Sequence, residues 1–338
     1  MRNVTLADIA RETGYSINTV SHALRDKEDI SDKTKEYIKQ TAKEMGYIVN
    51  VSAGSLRSGK SRSVAIIVGD ISNPHFSIMI KEMESTLRLY DYTAVILNTD
   101  ENEELEYSAI VSAISKNVDG IILCPVQKSF KNIDFLNKNG IPYVLFGRRF
   151  EGKVSNYVIC DDLNGGYSAA EHLIELNHRS LLFINAPLYI SSSRDRLEGI
   201  KRAVKAYNLP QNALAVEEVS VSDGGSIREI LERHADCTGI ICFSDLIALE
   251  VCHFLKQLDI NVPEDASVIG FDNIMSKFMF PMMLSSVTSS KTKMSEKAVE
   301  ILMDVIDNPH GKSYQLMLPT KVVARESTGE CHISRSSI

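Results

Sequence analysis

At 338 residues the chain exceeds one ordinary hydrophobic core and implies two or three domains. Hydrophobic residues make up 44% and charged residues 24%, and there is no long apolar run, which excludes both a membrane span and a disordered chain. The net charge of -7 is uneven: bases outnumber acids in residues 1–62 and acids outnumber bases afterwards, so only the N-terminal piece suits a nucleic acid. Six cysteines (Cys124, Cys160, Cys237, Cys242, Cys252, Cys331) are scattered singly with no Cys-x-x-Cys, the usage of buried free thiols in a reducing cytoplasm. Met1 to Glu12 is charged and amphipathic, which does not fit a signal peptide.

In chain order, Thr5-Leu6-Ala7-Asp8 has the spacing of a capping box and predicts a helix from Leu6. Leu6, Ile9 and Ala10 line its inner face and Gly14 supplies a left-handed cap. Ser16 caps a second helix, Ile17 to Leu24, with Val20, Ala23 and Leu24 inward and Ile17, Asn18, Ser21 and His22 outward. A third runs from a Ser31 cap to Gly46, with Ile38, Ala42 and Met45 inward. Helix, tight Gly turn, helix is the helix-turn-helix pattern, and the pattern alone leaves open an ordinary three-helix bundle with a polar surface. The outward chemistry fits DNA: Asn18 and His22 can bond base edges, Ile17 suits a thymine methyl, and Thr5, Ser16, Thr19 and Ser31 are short phosphate donors.

From Met45 to Ser63 the only charged residues are Arg57, Lys60 and Arg62, so this stretch can approach a polyanion without repulsion. Gly54-Ser55-Leu56-Arg57-Ser58-Gly59-Lys60-Ser61 satisfies the letters of a phosphate loop. That mechanism needs a strand before the loop and a helix after it, whereas here the β-rich run Val64 to Val68 follows.

From Ser63 onward, β-rich runs alternate with amphipathic helical stretches: Val64–Val68, Ala94–Leu97, Gly120–Leu123, Tyr143–Phe146 and Tyr157–Ile159, then Leu181–Ile184, Gly239–Phe243 and Ser267–Phe271. Two such series predict an α/β body of two doubly wound parallel-sheet subdomains, with one large sheet as the alternative. Ligands bind beyond the carboxyl ends of such strands. The residues there are polar almost throughout: Asp70 to Asn73, Asn98 to Asp100, Arg148 and Arg149, Asp161 and Asp162, Asn185, Ser244 and Asp245, and Asp272 and Asn273. Singly each is equally a solvated turn or helix cap. Converging on one cleft, they would suit vicinal hydroxyls. Thr292 to Asp307 reads as the last long amphipathic helix, and beyond Glu326 the chain reads as a polar, Ser-rich tail. There is no Gly-x-Ser-x-Gly, no His-Glu-x-x-His and no Gly-x-Gly-x-x-Gly after a strand, so no catalytic residue, metal or cofactor is assigned.

Val4 to Ala10, Val20-Ser21-His22-Ala23-Leu24, Ile30 to Thr34 and Gly46 to Asn50, extending through Ala53 and Leu56-Arg57, resemble the DNA-binding headpiece of the lac repressor family. Ser72-Asn73-Pro74-His75-Phe76, Asp119 to Leu123, Arg196 to Gly199 and Val268 to Asn273 resemble its effector-binding core, which is similar to periplasmic sugar-binding proteins. The resemblance covers nearly the whole chain. It implies an all-α helix-turn-helix headpiece at 1–48, a hinge helix at 49–62, a core at 63–330 and a tail at 331–338. One core subdomain would hold about 63–160 plus 290–319 and the other about 161–289 plus 320–330.

In that resemblance Ile17, Asn18 and His22 enter the major groove. Asn50, Ala53, Leu56 and Arg57 belong to the hinge on DNA, with Leu56 a minor-groove wedge that kinks the duplex. Phe76, Arg148, Arg196, Ser244 and Asp272 fall at effector contacts, with Asp161 and Asp223 nearby and Ser72 and Asn73 at the first strand end. Two hinge positions depart, Val49 for a Pro and Gly54 for a long polar residue, and are expected to leave a poor helix in the absence of DNA. Arg148 stands where some sugar-responsive relatives have an acid, and suits a phosphorylated or acidic sugar. The tetramer-forming leucine heptad of some relatives is absent, so a homodimer is expected.

The function implied is a cytoplasmic, ligand-controlled transcription regulator, a repressor, that binds a pseudo-palindromic operator as a dimer under control of a small sugar or sugar phosphate. A cytoplasmic sugar-binding protein without DNA-regulatory role, and an enzyme acting in the cleft, are the competing readings.

Overall fold

The computed structural model describes residues 4–48, 60–152, 154–220, 227–277 and 283–331. Gly54, Asn50, Ala53, Leu56, Arg57 and Asp223 lie outside the described residues, and with them the expected hinge helix. The chain divides into two units, one ending at Ser61 and one starting at Arg62.

In the first unit, α1 (Leu6–Thr13), α2 (Ile17–Ala23) and α3 (Asp32–Glu44) enclose Ile9, Val20, Ala23, Ile38 and Ala42. The local chemistry starts and stops each helix. Thr5 and Asp8 form the reciprocal capping box, Gly14 ends α1 at φ 75°, and the Ser16 and Ser31 hydroxyls accept the Thr19 and Thr34 N–H groups.

The second unit contains two six-stranded sheets. The first has the order β11-β5-β4-β3-β1-β2, from β1 (Ser63–Val68), β2 (Thr93–Asn98), β3 (Gly120–Leu123), β4 (Tyr143–Phe146), β5 (Tyr157–Cys160) and β11 (Gln315–Leu318). Its pairings are all parallel. Side chains alternate across it: Val64, Ile66 and Val68 meet α4 (Pro74–Leu89) and α11 (Lys291–Asp307). Ala65 and Ile67 meet α5 (Glu103–Ser115) and α6 (Lys131–Lys138) on the other face.

The second sheet has the order β12-β10-β9-β8-β6-β7, from β6 (Leu181–Asn185), β7 (Leu214–Glu218), β8 (Gly239–Cys242), β9 (Ser267–Phe271), β10 (Ser285–Thr288) and β12 (Lys321–Val323). Here α7 (Asp162–Glu175) and α8 (Ser191–Ala206) cover one face, and α9 (Ile227–Arg233) and α10 (Asp245–Gln257) the other. β12 pairs antiparallel with β10, the one exception to the parallel expectation among the described residues. The chain passes between the sheets at 160–162, 288–291 and 318–321.

The polar stretch beyond Glu326 is bonded to the second unit as far as Cys331. The Ser327 hydroxyl donates to the Val268 carbonyl at 2.6 Å and accepts the Ser285 N–H at 2.8 Å, and the Cys331 N–H donates to Leu176 O at 2.8 Å. A polar composition there reflects hydrogen bonds inside the molecule, not solvation.

Candidate functional site

The first unit presents one side of α2. Ile17 is half exposed and Asn18 and Ser16 are exposed, while Thr19, Ser21 and His22 are partly covered. Two features were not read from the sequence. The Thr5 hydroxyl donates to Asp8 Oδ2 at 2.6 Å, so its proton already has an acceptor and Thr5 serves the cap before any phosphate. His22 Nδ1 lies 2.6 Å from Asp29 Oδ2, which fixes the ring and leaves Nε2 to face outward chemistry. Ser16 and Ser31 also spend their oxygens on caps, and each lies within 2.9 Å of a neighbouring Thr hydroxyl that can share its proton.

The second unit has its polar strand ends around a cleft of about 580 Å3. The lining includes Asn73, Phe76, Glu101, Arg148, Ser244 and Asp272. A narrower recess of about 310 Å3 continues beneath it and shares His75, Arg196 and Asp272. The strand order 2-1-3 in one sheet and 7-6-8 in the other places the reversal of winding at these ends, where ligand crevices form.

Arg196 is the most constrained group. Its Nε donates to Asp162 Oδ1 at 2.8 Å and its Nη1 to the Phe243 carbonyl at 2.5 Å. The guanidinium lies over Phe243 at 4.6 Å and Phe271 at 4.1 Å. Burial works against its charge, but Asp162 and then Asp272 outweigh burial and hold the guanidinium above its ordinary value. Asp272 sits at φ 97°, a strained backbone for a non-glycine residue, and its carbonyl accepts from Lys291 Nζ. His75 Nδ1 is 3.4 Å from Asp272 Oδ1 and has no hydrogen-bond partner among the described residues. Burial lowers the His75 basicity against the pull of Asp272, which favours the neutral ring.

Beneath this layer Asp245 accepts the Ile274 N–H at 2.8 Å and the Ser286 hydroxyl at 2.7 Å. It thereby ties the loop carrying Asp272 to α10 and β10. Burial, then the charge of Asp272, pushes its carboxyl up to about 7.

The sequence-derived candidates therefore separate. Asn73, Phe76, Arg148, Arg196, Ser244 and Asp272 meet around the cleft. Ser72 is exposed, bonds to Asp70, and lines an adjoining opening with Asp100 and Glu250. Asp161 caps α7 through the Asn164 N–H at 3.0 Å, and the neighbouring Asp162 is the acid that reaches inward to Arg196. Arg148 does not offer a free charge, as expected for an anionic sugar; Glu101 holds both its Nη atoms at 2.8 Å. Glu101 and Lys291 were missed, and Asp162 and His75 were read only as a strand-end residue and as part of a motif, since their inward placement depends on tertiary packing.

Comparison with known proteins finds two family models. Residues 5–50 match the bacterial regulatory proteins of the lacI family, and residues 170–328 match a periplasmic binding protein-like domain. Catabolite control protein A of Priestia megaterium is 28% identical over 331 residues, covering 96% of this chain and 99% of the relative. The ribose operon repressor of Halalkalibacterium halodurans is 29% identical, covering 96% and 97%. Among solved structures, the lac repressor dimer bound to operator and an anti-inducer has the same fold, with TM-score 0.84 at 21% identity over 97% of this chain and 100% of that one. A LacI family transcriptional regulator from Enterococcus faecium with bound ribose gives TM-score 0.70 at 27% identity over 79% and 99%.

Proposed function

The chain belongs to the lacI family of bacterial regulatory proteins, and we propose that it is a ligand-controlled transcriptional repressor working as a homodimer in the cytoplasm, with no catalytic step. The α2 face would read base edges through Asn18 and His22, with Ile17 against a thymine methyl, in each half of a pseudo-palindromic operator. The cleft would hold a small polyhydroxylated effector, with Arg196 as hydroxyl donor and Asp272 as acceptor.

The observation that carries this reading is the pairing of a helix-turn-helix unit with a polar cleft between two doubly wound sheets in one chain. Support also comes from a relative that binds ribose and from one named as a ribose operon repressor. Effector binding would shift the closure of the two sheets and so the affinity for DNA, a coupling that must act equally in both directions.

The test is operator selection with the intact protein at physiological salt, repeated with residues 1–60 deleted and with sugars added. Sequence-specific binding that is lost on deletion and changed by a sugar is expected. No specific binding, or unchanged affinity after the deletion, would sink the proposal.

A further inference from the structure

The wall of the cleft formed by the first sheet carries a charge pair that a sugar contact alone does not require. Arg148 Nη1 and Nη2 donate to Glu101 Oε2 and Oε1 at 2.8 Å each, and Nη1 also donates to the Pro125 carbonyl at 2.9 Å. The two side chains are only 7% and 11% exposed. The fork-on-carboxylate geometry uses the planar face with which an arginine would otherwise grip a phosphate or carboxylate.

The placement of Glu101 is built at some cost. Asp100 and Glu101 both lie in the left-handed region, at φ 47° and 53°, where non-glycine residues are disfavoured. Gly69, at the end of β1, makes room: a Cβ there would come within 2.2 Å of Glu101 Oε1. Strained backbone and a reserved space converge on one carboxylate, so its position is specified by the fold.

We infer that Glu101 is a specificity-determining residue, which neutralises Arg148 and closes this wall to anionic ligands so that the effector is a neutral sugar. The inference rests on the reading of the cleft as an effector site. The other cations there are engaged as well, Arg196 with Asp162 and Lys291 with the Asp272 carbonyl. An entering phosphate would meet the Glu101 carboxylate and displace a buried pair, leaving a charge without its partner. A neutral polyol meets donors and acceptors already oriented, and displaces nothing charged.

Calorimetric titration of the intact protein with matched probes tests this: ribose and ribose 5-phosphate, glucose and glucose 6-phosphate, glucose and glucuronate. The wild type is expected to bind a neutral member at least tenfold more tightly than its anionic partner, and E101Q to lose or reverse that preference. A second measurement uses inorganic phosphate as probe. It is expected to raise the melting temperature of E101Q, where Arg148 is unpaired, and to leave the wild type and E101Q/R148Q unmoved. Anionic sugars that bind the wild type as tightly as neutral ones overturn the inference while leaving the effector reading intact, and so does phosphate that stabilises all three proteins alike. Absence of binding by every sugar removes the effector reading itself.

Discussion

Asp245 shows how a single residue is committed to holding a site together. Its two oxygens anchor the Ile274 N–H and the Ser286 hydroxyl, and both partners border the loop that carries Asp272. Its carboxyl is pushed up to about 7 in the folded chain, against an ordinary value of 3.8. An acid with a raised folded pKa keeps its proton better when folded, so its contribution to stability falls as pH rises from about 4 through 7 and then levels. Asp245→Asn retains one acceptor and one donor for the same partners without the charge. Its melting temperature relative to wild type is therefore expected to rise between about pH 4 and pH 7 and to level above that, and calorimetry from pH 4 to pH 8 measures it. A parallel pair of curves would show that Asp245 does not titrate there. Residues of this kind are hard to read from a chain. Arg196 and Asp272 are visible because one opens a motif and the other ends a strand. The inward role of Asp162, and Glu101 altogether, become visible only when folding brings Arg196 and Arg148 to them.

Arg196 meets Asp162 because two helices touch at their backbones. A Cβ on Gly199 of α8 would fall 1.9 Å from Leu163 O, and one on Gly166 of α7 would fall 2.1 Å from Arg196 O. No side chain separates the helices at these points, so their spacing is set by main-chain contact. Gly199→Ala must push α8 away from α7, and overpacking of this kind costs about 1–3 kcal/mol. The expected result is a lower midpoint in urea together with weaker effector binding, since the shift separates Arg196 from Asp162; a variant with wild-type affinity would show that the helix spacing does not govern the site. The same scale explains what the sequence hides among the elements. The strands β1 to β6, β8 and β9 announce themselves as apolar runs. β10 does not, because Ser285 and Ser286 lie fully buried at positions where apolar residues are normally expected. Their hydroxyls are satisfied by the Arg325 carbonyl and by Asp245, so a buried strand reads as a polar loop. β7 alternates at a sheet edge, and β12 has three residues, too few for periodicity to register.

Across the second unit, the two sheets are joined by a contact that the cleft alone does not account for. Arg149, beyond β4, pairs with Asp195 on α8 at 2.5 Å and 3.3 Å, and its N–H donates to Ser191 Oγ at 3.1 Å. Gln127, beyond β3, completes the bridge by donating to the Arg149 carbonyl at 2.6 Å and accepting the Ser191 N–H at 2.9 Å. These bonds span the two sides of the cleft, so they exist only when it is closed. Closure and effector binding must then share free energy, because a ligand held from both sides sees an affinity scaled by the closed fraction. The ion pair is only partly exposed, at 21% and 15%, and a contribution on the order of 1 kcal/mol corresponds to about a fivefold change in affinity. Arg149→Ala and Asp195→Ala are each expected to weaken effector binding by that factor and to raise the ligand-free radius of gyration in solution scattering. Because the two residues act through one bond, the double variant is expected to lose no more than either single one. Losses that multiply instead would mean that Arg149 and Asp195 act independently and not through their shared ion pair, and no loss in either single variant would mean that Gln127 and Ser191 alone hold the cleft shut.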